Sequence, residues 1–401
     1  MMNCNRVFYN QGSEDFLSEL NVPESEQKEL AKARDLIRRK LSLGFSKWQE
    51  VLDRGAILSE EAILKSLGDP SLRPKFKMQG SASYQTLNDP AHQPPQQIDY
   101  DDGVYLPVSF LKDSNDPILA SSGYFALVEA ILLPLCRKYG WKLQTHKDSC
   151  VRVELHKKSH IDLPLYAILD EQFSLLVENV SILKSSVERQ ALKESQVLDE
   201  SVYSRFDTEN IQLAHRTEGW ILSDPRLIEN WFGDAIKSHG QQLRRVCRYL
   251  KAWRDFHWKE SKKSKLSSLA LMKCTIDAFD SIKGTVDDKR DDIATLEVAR
   301  KLSSYFEHDI LNPVIEGVLN EGWSQNDRRM YQDKATELAQ RLESAIRGTY
   351  SSENAIAELI ASFGSRIPND PSLVALTTEA AIRSFRATKV PAPEVPRTRS
   401  G

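Results

Sequence analysis

The sequence predicts an α+β fold in which a mixed sheet in the first half of the chain packs on a helical lobe in the second. Three observations carry that expectation. From Met78 to Ile168 the apolar residues fall in strand-like runs, interrupted by one helix-like stretch, Tyr124 to Tyr139. From Pro225 onward the spacing turns helical: Leu243, Val246, Cys247 and Leu250 mark a core face, while Arg244, Arg248, Lys251 and Asp255 fall on another. Near the N-terminus, Leu30, Ala33, Ile37 and Leu41 recur at helical spacing between Pro23 and Gly55, so this region reads as one or two helices. Its basic residues Arg34, Arg38, Arg39 and Lys40 read as a solvated face. The chain has no internal repeat, which argues against a solenoid.

At 401 residues the chain can bury a large core and hold two lobes or domains. A net charge of −3 leaves no global basic field of the kind that gathers nucleic acid. The five cysteines are scattered without paired spacing, so neither a disulfide framework nor a zinc site is expected. Cys150, His156 and His160 come nearest to a metal cluster, but on alternating strand positions they read as partly exposed residues. No run of about eighteen apolar residues and no signal-peptide pattern occurs, so a cytoplasmic protein without membrane contact is expected.

The motifs come next, in chain order. Gln79-Gly80-Ser81 can end a strand and open a helix, where free backbone N–H groups and a hydroxyl can hold a triphosphate. A Pro- and Gln-rich loop, Asp89 to Gln97, leads into Ile98-Asp99-Tyr100-Asp101. On a strand, that alternation points both carboxylates to one face and the apolar residues into the core. Asp162 closes a second apolar-rich stretch, Val151 to Ile161, and Pro164 suits the end of a strand beside the first. Three carboxylates on neighbouring strands can share two divalent cations, roughly 3.5–4 Å apart, for in-line attack of a hydroxyl on an α-phosphorus. Asp101-Asp102-Gly103 is also an ordinary turn signal, and Asp99 taken alone also fits a solvated strand position. The constrained order of the three motifs weighs against those blander readings.

These segments resemble the bacterial cGAS/DncV-like nucleotidyltransferases, which make cyclic oligonucleotide signals in anti-phage (CBASS) defence, and the DncV-type branch in particular. The resemblance rests on Gln79 to Asn88, Ile98 to Pro107 and His160 to Ile168. It continues through Ser223-Asp224-Pro225, Trp231-Phe232, Arg245 to Arg248, Lys251 to Asp255, Leu266-Ser267-Ser268 and Phe363 to Arg366. It implies a polymerase-β-like nucleotidyltransferase lobe with a mixed sheet, packed on a C-terminal helical lobe in the manner of cGAS and OAS. It also implies that Asp99, Asp101 and Asp162 are catalytic and ligate two Mg²⁺ ions, with Mn²⁺ as a substitute, and that Asp162 helps to draw the proton from the attacking hydroxyl. By the same resemblance Gln79, Gly80, Ser81 and Tyr84 line the nucleotide pocket, and Arg152, Ser223, Lys251 and Ser268 contact bases or triphosphates. A further purine-selecting position falls near Asn312 to Glu316, and base choice stays open.

The implied activity joins ATP and GTP through 3′-hydroxyl attack with loss of pyrophosphate, giving 3′,3′-cyclic GMP-AMP for a downstream effector. No nucleic-acid activator is expected, because the zinc-binding insertion of the animal enzymes is missing. Another cyclic di- or trinucleotide, or a nucleotidyltransferase acting on RNA or protein, remains the alternative. Three regions are expected: 1–215, a nucleotidyltransferase core with N-terminal helices; 216–385, a helical lobe completing the nucleotide cleft; and 386–401, a flexible Pro-rich tail. The tail resembles the substrate of an E1/E2-type conjugating enzyme acting on Gly401.

Overall fold

A computed structural model describes residues 1–11, 14–46, 74–107, 117–168, 211–259 and 265–377. Its N-terminal strand β1 (Met2–Asn3) pairs with Ala375–Leu376 at the far end of the chain. Two short helices follow, α1 (Asn5–Phe8) and α2 (Phe16–Glu19), the second held by a capping box between Asp15 and Ser18. The long helix α3 (Glu24–Phe45) buries Leu30, Ala33, Ile37 and Leu41, the face that the spacing predicts.

Seven strands then build one mixed sheet. They are β2 (Lys75–Gln79), β3 (Ile98–Pro107), β4 (Lys142–Gln144), β5 (Cys150–Glu154), β6 (Ser159–Ile168), β7 (Gln212–His215) and β8 (Gly219–Leu222). The order is β2-β3-β6-β5-β4, with β7 joining β6 beyond β5 and β8 pairing with β7. Only β3 and β6 run parallel. A parallel neighbour needs a long connection, here supplied by helix α5 (Pro117–Tyr139) and the β4–β5 hairpin.

The pleat sorts the side chains of the central strands. Ile98, Val104, Leu106, Ile161, Leu163 and Leu165 join the core shared with α3 and α5, together with Val151 and Val153 of β5. The opposite face therefore receives Asp99, Asp101, His160, Asp162 and Arg152. Asp101-Asp102-Gly103 is strand rather than turn, because Asp102 points to the α3 side, fully buried, where Arg38 grips it with two hydrogen bonds of 2.8 and 2.5 Å. The basic face of α3 is thus not simply solvated. Arg38 serves a buried carboxylate, and Arg34 donates to the Tyr100 hydroxyl at 3.3 Å.

Helix α6 (Pro225–His239) opens the second lobe, capped by Asp224. It is followed by α7 (Gln241–His257), α8 (Ser268–Ser281), α9 (Asp291–Glu307), α10 (Gln325–Glu343) and α11 (Ser352–Phe363). Helix α7 is buried on nearly every side: its apolar face enters the lobe's core while Arg248 and Lys251 are buried against the other lobe. Two boundaries differ from expectation. Met2, Cys4, Val7, Phe8, Phe16 and Leu20 pack in the helical lobe's core, with Phe16 stacked on Tyr249 at 5.4 Å between ring centroids, so the described residues up to Leu20 go with that lobe. The β7–β8 hairpin hydrogen-bonds to the sheet as far as Leu222, so the strand-rich lobe runs past residue 215. The expected tail, 386–401 with Gly401, lies outside the described residues.

Removing Arg38 would leave Asp102 charged and buried without its partner, a change that costs roughly 3–5 kcal/mol. Urea unfolding of Arg38→Ala should show a loss of that order, and adding Asp102→Asn should recover part of it. Equal stability of Arg38→Ala and the parent would show that the pair contributes nothing.

Candidate active site

Register brings the acidic residues together. In the β3–β6 ladder Asp101 lies beside Asp162 and Asp99 beside His160, and in the β5–β6 ladder Arg152 lies opposite Asp162. Arg152 donates to both Asp162 oxygens at 2.6 Å, a planar fork on a carboxylate. His160, almost fully buried, sets Nε2 2.7 Å from Asp99 Oδ1 and Nδ1 2.9 Å from Gln97 Oε1. The walls around Asp99 work against its ionisation, but the hydrogen bond and charge of His160, with Arg152 and Lys147, hold its pKa below the usual value. Among the described residues Asp101 has no such partner. Burial, then the charges of Asp99 and Asp162, push it up to about 8.

The Gly80-Ser81 turn opens the one-turn helix α4 (Gly80–Ser83) directly after β2. Gly80 has φ +64°, and a Cβ there would sit 2.0 Å from Asp101 Oδ2, so only glycine lets this backbone close on the carboxylate. Tyr84 closes the turn, its N–H donating to the Gly80 carbonyl at 3.0 Å and its ring packing near Phe232 of α6. Burial, with Glu229 and Asp101 nearby, pushes the Tyr84 hydroxyl's pKa well up.

Facing this floor is the wall of the helical lobe. Gly80, Ser81, Tyr84, Asp99, Asp101, Arg152, Lys251 and Ser268 all line one cleft of about 780 Å³ between the two lobes. That volume falls in the upper part of the range of roughly 300–1,000 Å³ usual for small-molecule sites. Lys251 donates to the Thr86 carbonyl at 2.7 Å, and its pKa is pushed down to about 8 by burial and then by Arg254, with Asp255 opposing. Ser268 accepts from Arg254 at 3.0 Å. The connecting segment is tied to α7 throughout: Asn88 and Arg248 exchange hydrogen bonds of 2.9 and 2.8 Å, and Gln96 donates to the Asp255 and Trp258 carbonyls.

Some expected residues lie elsewhere. Gln79 is buried beneath the turn, donating to the Tyr105 hydroxyl at 2.5 Å and accepting from Tyr166 at 3.1 Å, so it braces the floor instead of lining the cleft. Gly103 makes room for it, since a Cβ there would lie 2.3 Å from the Gln79 amide nitrogen. Ser223 is half-buried on the approach to α6 and is not among the cleft's lining residues. Asn312 is likewise outside the cleft, its side chain capping the N–H groups of Val314 and Ile315. Cys150 and His160 are buried and only His156 is exposed, because the first two project into the cleft face of the sheet.

Sequence reasoning gave no role to His160, Gln97, Lys147, Arg254 or Thr86, all of which line the cleft. His160 stands two residues before Asp162, which is the spacing of one strand face. Thr86 carried no signal, and its buried hydroxyl has no hydrogen-bond partner among the described residues.

The donor set fits a divalent cation. Carboxylate oxygens of Asp99 and Asp162 and a ring nitrogen of His160 lie within 4.8 Å of one another, and burial together with those two carboxylates raises the pKa of Asp101 beside them. Hard oxygen donors crowded without enough positive charge are the usual ligands of magnesium or manganese.

Two family descriptions match the chain: "Cyclic GMP-AMP synthase DncV-like, nucleotidyltransferase domain" over residues 74–166, and "Cyclic GMP-AMP synthase, C-terminal domain" over 240–376. It is 34% identical to the cyclic GMP-AMP synthase of Vibrio cholerae over 316 residues, 76% of this chain and 70% of that protein. It is 29% identical to the cyclic GMP-AMP synthase of Escherichia coli strain TW11681, over 81% of this chain and 74% of that one. The solved structure of V. cholerae DncV cyclic AMP-GMP synthase in complex with the linear intermediate 5′ pppA(3′,5′)pG matches with a TM-score of 0.74 at 26% identity, covering 94% of this chain and 99% of that chain. With its mixed sheet, helical lobe and carboxylate-floored cleft, the chain belongs to the DncV-like nucleotidyltransferases, a family of cyclic dinucleotide synthases.

Proposed function

We propose that this enzyme joins ATP and GTP into 3′,3′-cyclic GMP-AMP by two successive 3′-hydroxyl attacks in one cleft, each releasing pyrophosphate. The observation that carries the reading is the parallel register setting Asp101 beside Asp162 and Asp99 beside His160, on a floor faced by Lys251 and Ser268. The V. cholerae relative holds a linear pppA(3′,5′)pG, which is the species expected between the two attacks. Divalent cations on Asp99, Asp101 and Asp162 would offset charge developing on the phosphoryl oxygens and ease deprotonation of the attacking hydroxyl.

The chain's own groups divide the remaining work. The Gly80-Ser81 backbone, pressed against Asp101, offers N–H groups and the Ser81 hydroxyl to the donor triphosphate. Lys251 leaves the Thr86 carbonyl for a phosphate oxygen, and the polyanion draws its lowered pKa back up, so it binds as an ammonium. Asp162, oriented by Arg152, accepts the proton of the attacking hydroxyl. The linear product turns over, and the same carboxylates serve the closing step. No helix among the described residues is long and apolar enough to cross a membrane. By family resemblance, the product signals to an effector in cytoplasmic anti-phage defence.

Incubating the purified protein with the four ribonucleoside triphosphates and Mg²⁺ or Mn²⁺ should give a phosphatase-resistant cyclic product containing one adenine and one guanine. Asp99→Asn/Asp101→Asn should abolish it while leaving the fold intact. Label in long polymers or on protein would refute the synthase reading, and a different base composition would refute the cyclic GMP-AMP assignment.

Asp101 also predicts a pH dependence. Its pKa is raised from about 4 in the unfolded chain to about 8 in the metal-free fold. Its contribution to stability is therefore complete below about pH 4 and is lost as pH rises through 8. Cation binding expels that proton, so the rise in Tm caused by Mg²⁺ or Mn²⁺ should be small near pH 6 and larger near pH 9. In Asp101→Asn this trend should flatten. An equal Tm shift at both pH values would remove Asp101 from the cation site.

A further inference from the structure

Every other member of the acidic floor has an identified role, but the buried ring between Gln97 and Asp99 does not. His160 is 5% exposed and reaches both neighbours at once, with Nε2 2.7 Å from Asp99 Oδ1 and Nδ1 2.9 Å from Gln97 Oε1. The strand register makes this pairing obligatory, because Asp99 and His160 are direct partners in the parallel β3–β6 ladder. Gln97 is itself oriented: its amide nitrogen faces the carbonyls of His156 and Lys157, both at 3.4 Å, which turns its oxygen towards His160. The result is a chain of contacts from the backbone turn at 156–158, through Gln97 and His160, to one oxygen of Asp99.

We infer that His160 is a positioning residue that fixes the rotamer of Asp99, and that Gln97 fixes His160 in turn. Half of the Asp99 side chain is open to the cleft, so without this contact the carboxylate would be free to rotate about χ1 and χ2. Among the described residues its Oδ2 accepts no hydrogen bond, which leaves that oxygen for a cation while Oδ1 is held. Both ring nitrogens are already engaged, so His160 orients a ligand and is not one itself. Hydrogen-bonded partners of metal-binding carboxylates typically contribute about 10–100-fold in metal affinity. The inference rests on the reading of Asp99 as a cation ligand.

The test is Mn²⁺ binding to the full-length protein without nucleotide, followed by the EPR signal of free Mn²⁺, beside the Mn²⁺ dependence of turnover. His160→Ala should weaken Mn²⁺ binding about 10–100-fold and raise the Mn²⁺ concentration needed for half-maximal rate, with kcat recovering largely at saturation. His160→Gln, whose amide can still meet Asp99, should restore part of the affinity, and Gln97→Ala should lower it less than His160→Ala does. An unchanged unfolding transition would show that the variants remain folded. Unaltered Mn²⁺ affinity in folded His160→Ala would overturn the inference. So would a ¹⁴N coupling to bound Mn²⁺ in the parent that vanishes in His160→Gln, since it would make the ring a direct ligand. Asp99→Asn separates the two levels: if it binds Mn²⁺ normally, the reading of Asp99 as a ligand fails, whereas if only His160→Ala is silent, the positioning role alone fails.

Discussion

Three carboxylates on one face of a sheet repel one another, and much of the surrounding structure answers to that repulsion. At separations of a few ångströms, like charges away from bulk water cost far more than a single hydrogen bond returns. Here each acid is treated differently. Asp162 is gripped by the Arg152 fork, Asp99 is paired with His160, and Asp101 is left to hold a proton. The crowded negative charge that remains is of the kind a divalent cation would offset.

The same logic governs the opposite wall. Lys251 is buried on the face of α7 turned to the other lobe, with a main-chain carbonyl as its hydrogen-bond acceptor and its pKa pushed down by burial. A cation partly robbed of its charge facing an acid partly robbed of its own is an arrangement suited to a triphosphate and its metal ions. Helix α7 brings this about because it belongs to both lobes. Its apolar face enters the helical core, and Arg248 and Lys251 tie the segment after the Gly80 turn to it. The cleft therefore depends on the lobes being bonded along α7, and catalytic geometry and lobe packing share the same residues.

The glycines mark where backbone and chemistry compete for space. Gly80 lets the nucleotide turn touch Asp101, and Gly103 lets Gln79 slide beneath the floor to meet the stacked Tyr105 and Tyr166. Gln79 thus supports the turn from behind. Its neighbours in the motif, Ser81 and Tyr84, face the cleft, although all of them sit within six residues.

The fold class, the buried helical face of Leu30 to Leu41, the helical spacing from Pro225 onward and the alternation that turns Asp99 and Asp101 to one strand face are legible in the sequence. These are local, since period-two and period-3.6 patterns and a capped helix start are written in neighbouring residues. Other features depend on register and on contacts between distant segments. The described residues up to Leu20 join the helical lobe because Phe8 and Phe16 pack beside Tyr249 and Phe363, more than 230 positions away. Arg38 is drawn partly out of solvent because Asp102, which reads like part of a turn, is buried opposite it. His160 acquires its place from a parallel ladder that no spacing along the chain encodes. Pairing between strands is set by the whole sheet, and a side chain's partner across it becomes visible only when the strands are laid side by side.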